Sequence, residues 1–197
     1  GVIDNVAKID GLNLYTPKIS GRNMIGALVA VNRGSVLNCR VSGLTADGSE
    51  KIGGLVGIND GGVISSSSAW LNAAGTNYIG GLTGMNSGTI KHSGGYAQIA
   101  GSSNLGGLVG SSHEGSILRE CASSGYASGT AGVGGLVGSA LGVTIENCHS
   151  SASVEGADST QAGGLVGTIG GQSLVKHSYS TGFILAVDTN AKQSGGL

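Results

Sequence analysis

Ile52-Gly-Gly-Leu-Val-Gly57 decides the fold, because the chain keeps returning to it. The pattern recurs as Ile79-Gly-Gly-Leu-Thr-Gly84, Leu105-Gly-Gly-Leu-Val-Gly110, Val133-Gly-Gly-Leu-Val-Gly138 and Ala162-Gly-Gly-Leu-Val-Gly167. A looser copy opens at Met24-Ile-Gly-Ala-Leu-Val-Ala30, and Ser194-Gly-Gly-Leu197 begins another. Successive starts lie 28, 27, 26, 28, 29 and 32 residues apart. Self-similarity at such a period is the mark of a repeat architecture. The small changes in spacing are what loops between stacked elements tolerate.

Each copy has a second half. A turn follows the glycine-rich stretch, as at Asn59-Asp60-Gly61-Gly62 or Asn86-Ser87-Gly88; such residues accept the positive φ angles of tight turns. An apolar residue then comes with a small one three places on: Val36/Cys39, Ile64/Ser67, Ile90/Ser93, Leu118/Cys121, Ile145/Cys148 and Val175/Ser178. A less regular stretch closes the copy, such as Ala97-Gln-Ile-Ala100, Ser151-Ala-Ser-Val154 or Phe183-Ile-Leu-Ala-Val187. No segment sustains apolar spacing at three and four residues, and interior glycine disfavours helix by about 1 kcal/mol relative to alanine.

These features predict an all-β chain folded as a right-handed parallel β-helix (β-solenoid), with about 26–32 residues and three short strands per coil. The hand follows from the preference of parallel crossovers. Stacked coils lie about 4.8 Å apart, so equivalent residues should form columns. Leu28, Leu55, Leu82, Leu108, Leu136 and Leu165 are expected as one buried ladder. Cys39, Ser67, Ser93, Cys121, Cys148 and Ser178 are expected as a second, narrow one. The paired glycines are expected at a corner where a Cβ would strike the next coil. Residues 1–197 read as a single solenoid fragment: 1–23 a degenerate N-terminal coil, 24–193 six repeats, 194–197 the start of a truncated seventh. With no polar cap at either end, the native polypeptide is expected to continue beyond both termini.

Composition narrows the function classes. Glycine supplies 40 of 197 residues and proline one, without the every-third-residue period of collagen. Hydrophobic residues are 39% and net charge is −1, so the chain is not of the disordered type. The near-zero charge, lacking basic clusters, argues against nucleic acid and anionic membrane as partners. No apolar run approaches the roughly 20 residues of a membrane-spanning helix, and no signal-peptide pattern opens the chain. Three cysteines, Cys39, Cys121 and Cys148, are neither a disulfide framework nor a zinc site. Cys121 and Cys148 fall on adjacent coils; a bond between them is geometrically conceivable, and a buried free-thiol pair is the favoured reading.

The repeated Gly-Gly-Leu-Val-Gly, followed by turns such as Glu146-Asn147-Cys148, resembles the GLUG repeat over residues 24–197. The first copy departs, with Ala27 and Ala30 where glycine is usual, so its corner is expected to differ. The resemblance implies a large bacterial surface protein, of the adhesin type or of the immunoglobulin-A-cleaving zinc metallopeptidase type. It therefore implies an extracellular or cell-surface location, with the rest of the parent polypeptide and a host protein or glycan as partners. The leading expectation is a non-enzymatic adhesin or stalk module that spaces or presents binding regions of a larger secreted protein. The alternatives are an accessory, substrate-orienting domain of such a metallopeptidase and a carbohydrate-active β-helix enzyme.

Candidate chemistry is thin, and neither cofactor nor metal is expected. His113-Glu114-Gly115-Ser116-Ile117 is the nearest approach to a zinc-peptidase signature, but ends in Ile and sits in a turn. Glu120 and Glu146 lie in neighbouring columns on adjacent coils, where paired carboxylates could act in glycoside chemistry. Arg119, Glu146 and Lys176 share one column, however, which explains Glu146 as an ion pair. His92 and His177, both within Lys-His-Ser, lie three coils apart, about 14 Å at 4.8 Å per coil, too far to share a metal. Gly132-Val-Gly-Gly135 lacks the following helix that a phosphate cradle needs. Trp70 and Tyr96 each lie three places after their ladder residue, which sets them side by side and pointing outward. They are the candidate ligand-binding residues, for a sugar face or a partner's apolar anchor.

Overall fold

The computed structural model describes residues 2–156, 161–186 and 194–195. These residues form strands joined by short turns, and none is helical. The strands assemble into four parallel sheets running along a stack of about seven coils. The chain is a parallel β-solenoid, as the repeat predicts.

Each full coil contributes to four sheets, not the three strands expected, and in the coils that start at Ala131 and Ala162 the last strand is split in two. In the third coil the strands are Glu50–Gly53, Val56–Asn59, Val63–Ser65 and Ser68–Ala74. They belong respectively to what we call the glycine, asparagine, short and broad sheets. The extra strand comes from the signature itself. Ile52-Gly-Gly-Leu-Val-Gly57 is not one strand but two, folded across a corner at Gly54 and Leu55. A side chain has no room there: a Cβ on Gly80, the equivalent of Gly53, would lie 2.1 Å from the Thr83 carbonyl oxygen and 2.6 Å from the Gly110 nitrogen. Both obstacles are backbone, which no rotamer change can move.

The leucine at the corner turns inward. Leu55, Leu82, Leu108 and Leu136 are wholly buried, and Leu28 and Leu165 nearly so. Their backbones hold the same vertical line: each amide donates to the leucine carbonyl of the next coil, at 2.8–3.0 Å from Leu28 to Leu165. The first copy keeps this corner despite Ala27, since Leu28 N donates to Leu55 O at 3.0 Å and Gly26 pairs with Gly53. Its true register starts at Ile25, opposite Ile52, one residue later than the spacing count placed it. Residues 2–20 supply asparagine-, short- and broad-sheet strands in register with the following coil. At the other end Ser194–Gly195 pairs with Ala162–Gly163; Gly196, Leu197 and Val187 lie outside the described residues.

The second predicted ladder carries its own hydrogen bonds. Cys39, Ser67, Ser93, Cys121 and Cys148 are buried, and Ser178 half-buried. Each side chain donates to the carbonyl two residues back, as Ser67 Oγ to Ser65 O at 2.8 Å and Cys148 Sγ to Glu146 O at 3.3 Å. Four of them, Ser67, Ser93, Cys148 and Ser178, also accept from the rung amide of the preceding coil, as Cys39 N to Ser67 Oγ at 3.1 Å and Cys148 N to Ser178 Oγ at 3.0 Å. A small hydroxyl or thiol is therefore required for its polar atom as much as for its size. The residue just before each rung has positive φ: Asn38, Ser66, His92, Glu120, Asn147 and His177, at 49–53°. That conformation is costly for residues such as His and Glu. It persists because it aims the amide at the next coil, as His92 N to Arg119 O and Glu120 N to Glu146 O, both 3.0 Å.

A third ladder lies inside the turn that follows each signature. Asn5, Asn32, Asn59 and Asn86 are buried, and each amide nitrogen donates to the next side-chain carbonyl at 2.8 Å. Asn86 passes the chain to Ser112 Oγ at 3.2 Å, which bonds Ser116 Oγ at 2.8 Å. The next rungs are Ala140 and Ile169, which need no partner. Among the described residues no buried side-chain polar atom lacks one, as a well-formed interior demands.

Candidate functional site

The broad sheet carries the most varied outer face. Its strands in the third and fourth coils, Ser68–Ala74 and Gly94–Ala100, alternate buried and outward residues along their length, the period of an extended chain. Ala69, Leu71 and Ala73 therefore face the core while Ser68, Trp70 and Asn72 face out. Trp70 pairs directly with Tyr96 on the next coil. Their ring centroids are 5.4 Å apart and their planes meet at 81°, an edge-to-face contact, not a parallel stack. Both remain open, Trp70 50% exposed and Tyr96 40%. The Tyr96 hydroxyl is held by Gln98 Nε2 at 2.9 Å.

One column toward the ladder, the outward residues run Arg40, Ser68, Gly94, Ala122, His149 and Tyr179. The three middle coils contribute almost no side chain, while both ends are bulky. His149 and Tyr179 stack in parallel, 5.4 Å between centroids and 11° between planes. The result is a groove of about 690 Å³ along the sheet, with the aromatic pair on one flank and Arg40 and His149 toward its ends. Serine hydroxyls of Ser42, Ser68, Ser124 and Ser151 also line it. Trp70 and Tyr96 were legible from their offsets. Arg40, His149 and Tyr179 were not singled out, although each directly follows a ladder residue and the same offset rule places them.

The other candidate groups are held in structural contacts. Arg119 Nη2 and Lys176 Nζ bind the two carboxylate oxygens of Glu146, each at 2.9 Å. Lys176 and then Arg119 hold that carboxyl below the usual glutamate range. Glu120 contacts His92 Nδ1 at 2.9 Å, so the two glutamates are held by separate partners. His113 is half-buried, which pushes its imidazole toward the neutral form, and its Nε2 lies 3.3 Å from Ser111 Oγ. Cys39, Cys121 and Cys148 are free and buried. The neighbouring Cys148 thiol and burial push the Cys121 thiol up, so it stays protonated. Among the described residues no three His, Cys, Asp or Glu side chains converge as a metal site would require. A row of surface ion pairs ties Arg33 to Asp60 at 2.8 Å and to Asp4 on successive coils.

Neither a curated protein nor a solved structure matches the chain. A family model does: the GLUG motif, at residues 129–155. That span begins at the end of one broad-sheet strand and runs through the Val133-Gly-Gly-Leu-Val-Gly138 corner to Cys148 and the next broad-sheet strand, Ser153–Gly156. It is one circuit of the solenoid, so the chain is a β-solenoid in which one coil, residues 129–155, matches the GLUG motif.

Proposed function

We propose that this chain is a non-enzymatic module of a larger secreted bacterial protein, a stiff rod at the cell surface that spaces or presents binding regions. The observation that carries this reading is the coil-to-coil register, kept through all four sheets with one bulge, opposite Trp70, between the second and third coils. Four sheets and the leucine and Cys/Ser ladders continue from coil to coil, and the asparagine ladder joins the first four. Each coil depends on its neighbours, so the solenoid resists bending and its length is set by coil number. Seven coils at about 4.8 Å amount to roughly 30 Å of rise. The outward side chains offer a repetitive surface, and the glutamates that could serve acid–base chemistry are each held by different side chains, Glu120 by His92 and Glu146 by Arg119 and Lys176.

An in-register deletion tests the reading. Removing residues 52–78 joins Lys51 to Ile79, the structural equivalent of Ile52. The shortened chain should stay folded, and the separation of spin labels at Thr45 and Thr130 should fall by about one 4.8 Å step. In the parent protein displayed on cells, the same deletion should preserve export and reduce attachment to a surface. A collapsed deletion variant, or turnover of a polysaccharide by the intact chain, would refute the proposal.

A further inference from the structure

We propose that the groove on the broad sheet binds a short saccharide bearing a carboxylate. The inference deepens the module reading, since it names the ligand class that such a rod would present a site for. It begins with the shape. Ser68, Gly94 and Ala122 form a floor three coils long with hardly any side chain. A Cβ placed on Gly94 would meet only the Ala122 carbonyl oxygen, at 3.7 Å, so the space above is open. Arg40 and His149 stand four coil steps apart along this column, about 19 Å at 4.8 Å per coil. A linear saccharide of a few rings repeats at nearly the rise of the coils, so successive rings can meet successive rungs.

The chemistry of the walls fits the same occupant. Trp70 and Tyr96 meet at nearly a right angle, each fixing the other, and both stay accessible. Large, rigid aromatic surfaces of this kind give contact area with little entropy loss. A pyranose presents an apolar C–H face to such a ring and hydroxyls around its rim. Serine hydroxyls then supply partners for that rim. The lining has no exposed aliphatic side chain to receive a peptide's apolar anchor.

Charge selects among saccharides. Arg40 and His149 are the groove's basic side chains, and no carboxylate lines it. Among the described residues the Arg40 guanidinium has no ion-pair or hydrogen-bond partner, unlike Arg33 and Arg119, which both do. Arg40 lies on the coil next to Trp70. A sugar ring seated on Trp70 would therefore place a carboxylate substituent within reach of a planar, bidentate donor.

Trp70 is the chain's single tryptophan, so its fluorescence reports on the site directly. The probes are an oligogalacturonate trimer and sialyllactose, with neutral maltotriose as control. Titration of either acidic probe should change Trp70 emission saturably, with affinity about tenfold above maltotriose. Trp70→Ala, followed by calorimetry, should weaken acidic-probe binding about tenfold or more. Arg40→Ala should retain the fluorescence response while removing the preference for acidic over neutral probes. Far-UV circular dichroism of both variants should match the parent, since both side chains are exposed. No binding at millimolar concentration, equal affinity for all three probes, or indifference to Trp70→Ala overturns the inference. None of those results disturbs the rod, which the coil-deletion distances test separately.

Discussion

Replacing Asn59 with alanine should destabilise the solenoid by about 3 kcal/mol. Asn59 is wholly buried, at the third of four asparagine rungs. Its amide nitrogen donates to Asn86 Oδ1 at 2.8 Å and to Gly62 O at 3.0 Å, and its carbonyl accepts from Asn32 Nδ2 at 2.8 Å. Truncation removes all three. Asn32 Nδ2 is left with long contacts to Gly34 O and Val63 O, at 3.4 and 3.5 Å. A buried donor so stranded costs about 1–3 kcal/mol. Asn86 Oδ1 keeps the Gly88 amide at 3.2 Å, so its loss lies at the low end of that range. The Gly62 carbonyl loses its side-chain donor, worth about 1 kcal/mol net. Asn59→Ser should cost less, because Ser112 already serves as an accepting rung below Asn86. Urea unfolding followed by circular dichroism gives the magnitude, and amide hydrogen exchange should show the lost protection concentrated in the asparagine-sheet strands of this coil and its neighbours. A change under about 1 kcal/mol for Asn59→Ala, or equal costs for Ala and Ser, would show that the ladder does not hold the turns together.

Three further outcomes follow from the same geometry. Gly80→Ala should cost about 3 kcal/mol or more, since its Cβ meets fixed backbone, whereas Gly94→Ala should stay within about 0.5 kcal/mol; thermal melts of the pair check this. Glu146 has a lowered folded-state pKa, so its ion pairs stabilise the fold above the ordinary glutamate pKa of about 4.3 and are lost as pH falls through the lower folded value. Glu146→Gln should therefore flatten the acid limb of melting temperature against pH and leave the alkaline side unchanged. Cys39, Cys121 and Cys148 should resist thiol reagents in the native state and all react once denaturant is added; fast labelling of native protein would refute their burial.

The repeat alone determined the architecture, the leucine column, the Cys/Ser column and the outward placing of Trp70 and Tyr96. The reason is that a parallel coil stacks residues one period apart, so spacing in the chain becomes position in space. Arg119, Glu146 and Lys176 met as their register requires for the same reason. The fourth strand was illegible, because a pair of glycines followed by leucine reads equally well as one strand or as two across a corner. Only the close approach of the next coil's backbone decides that. The asparagine ladder left a trace in the even 27-residue steps from Asn5 to Asn86. Yet asparagine in a turn is ordinarily explained by local conformation, and burial is what converts it into a hydrogen-bonded column. The groove belongs wholly to tertiary structure. Its floor is made of residues that are unremarkable singly, and it exists because three small ones lie in register between Arg40 and His149.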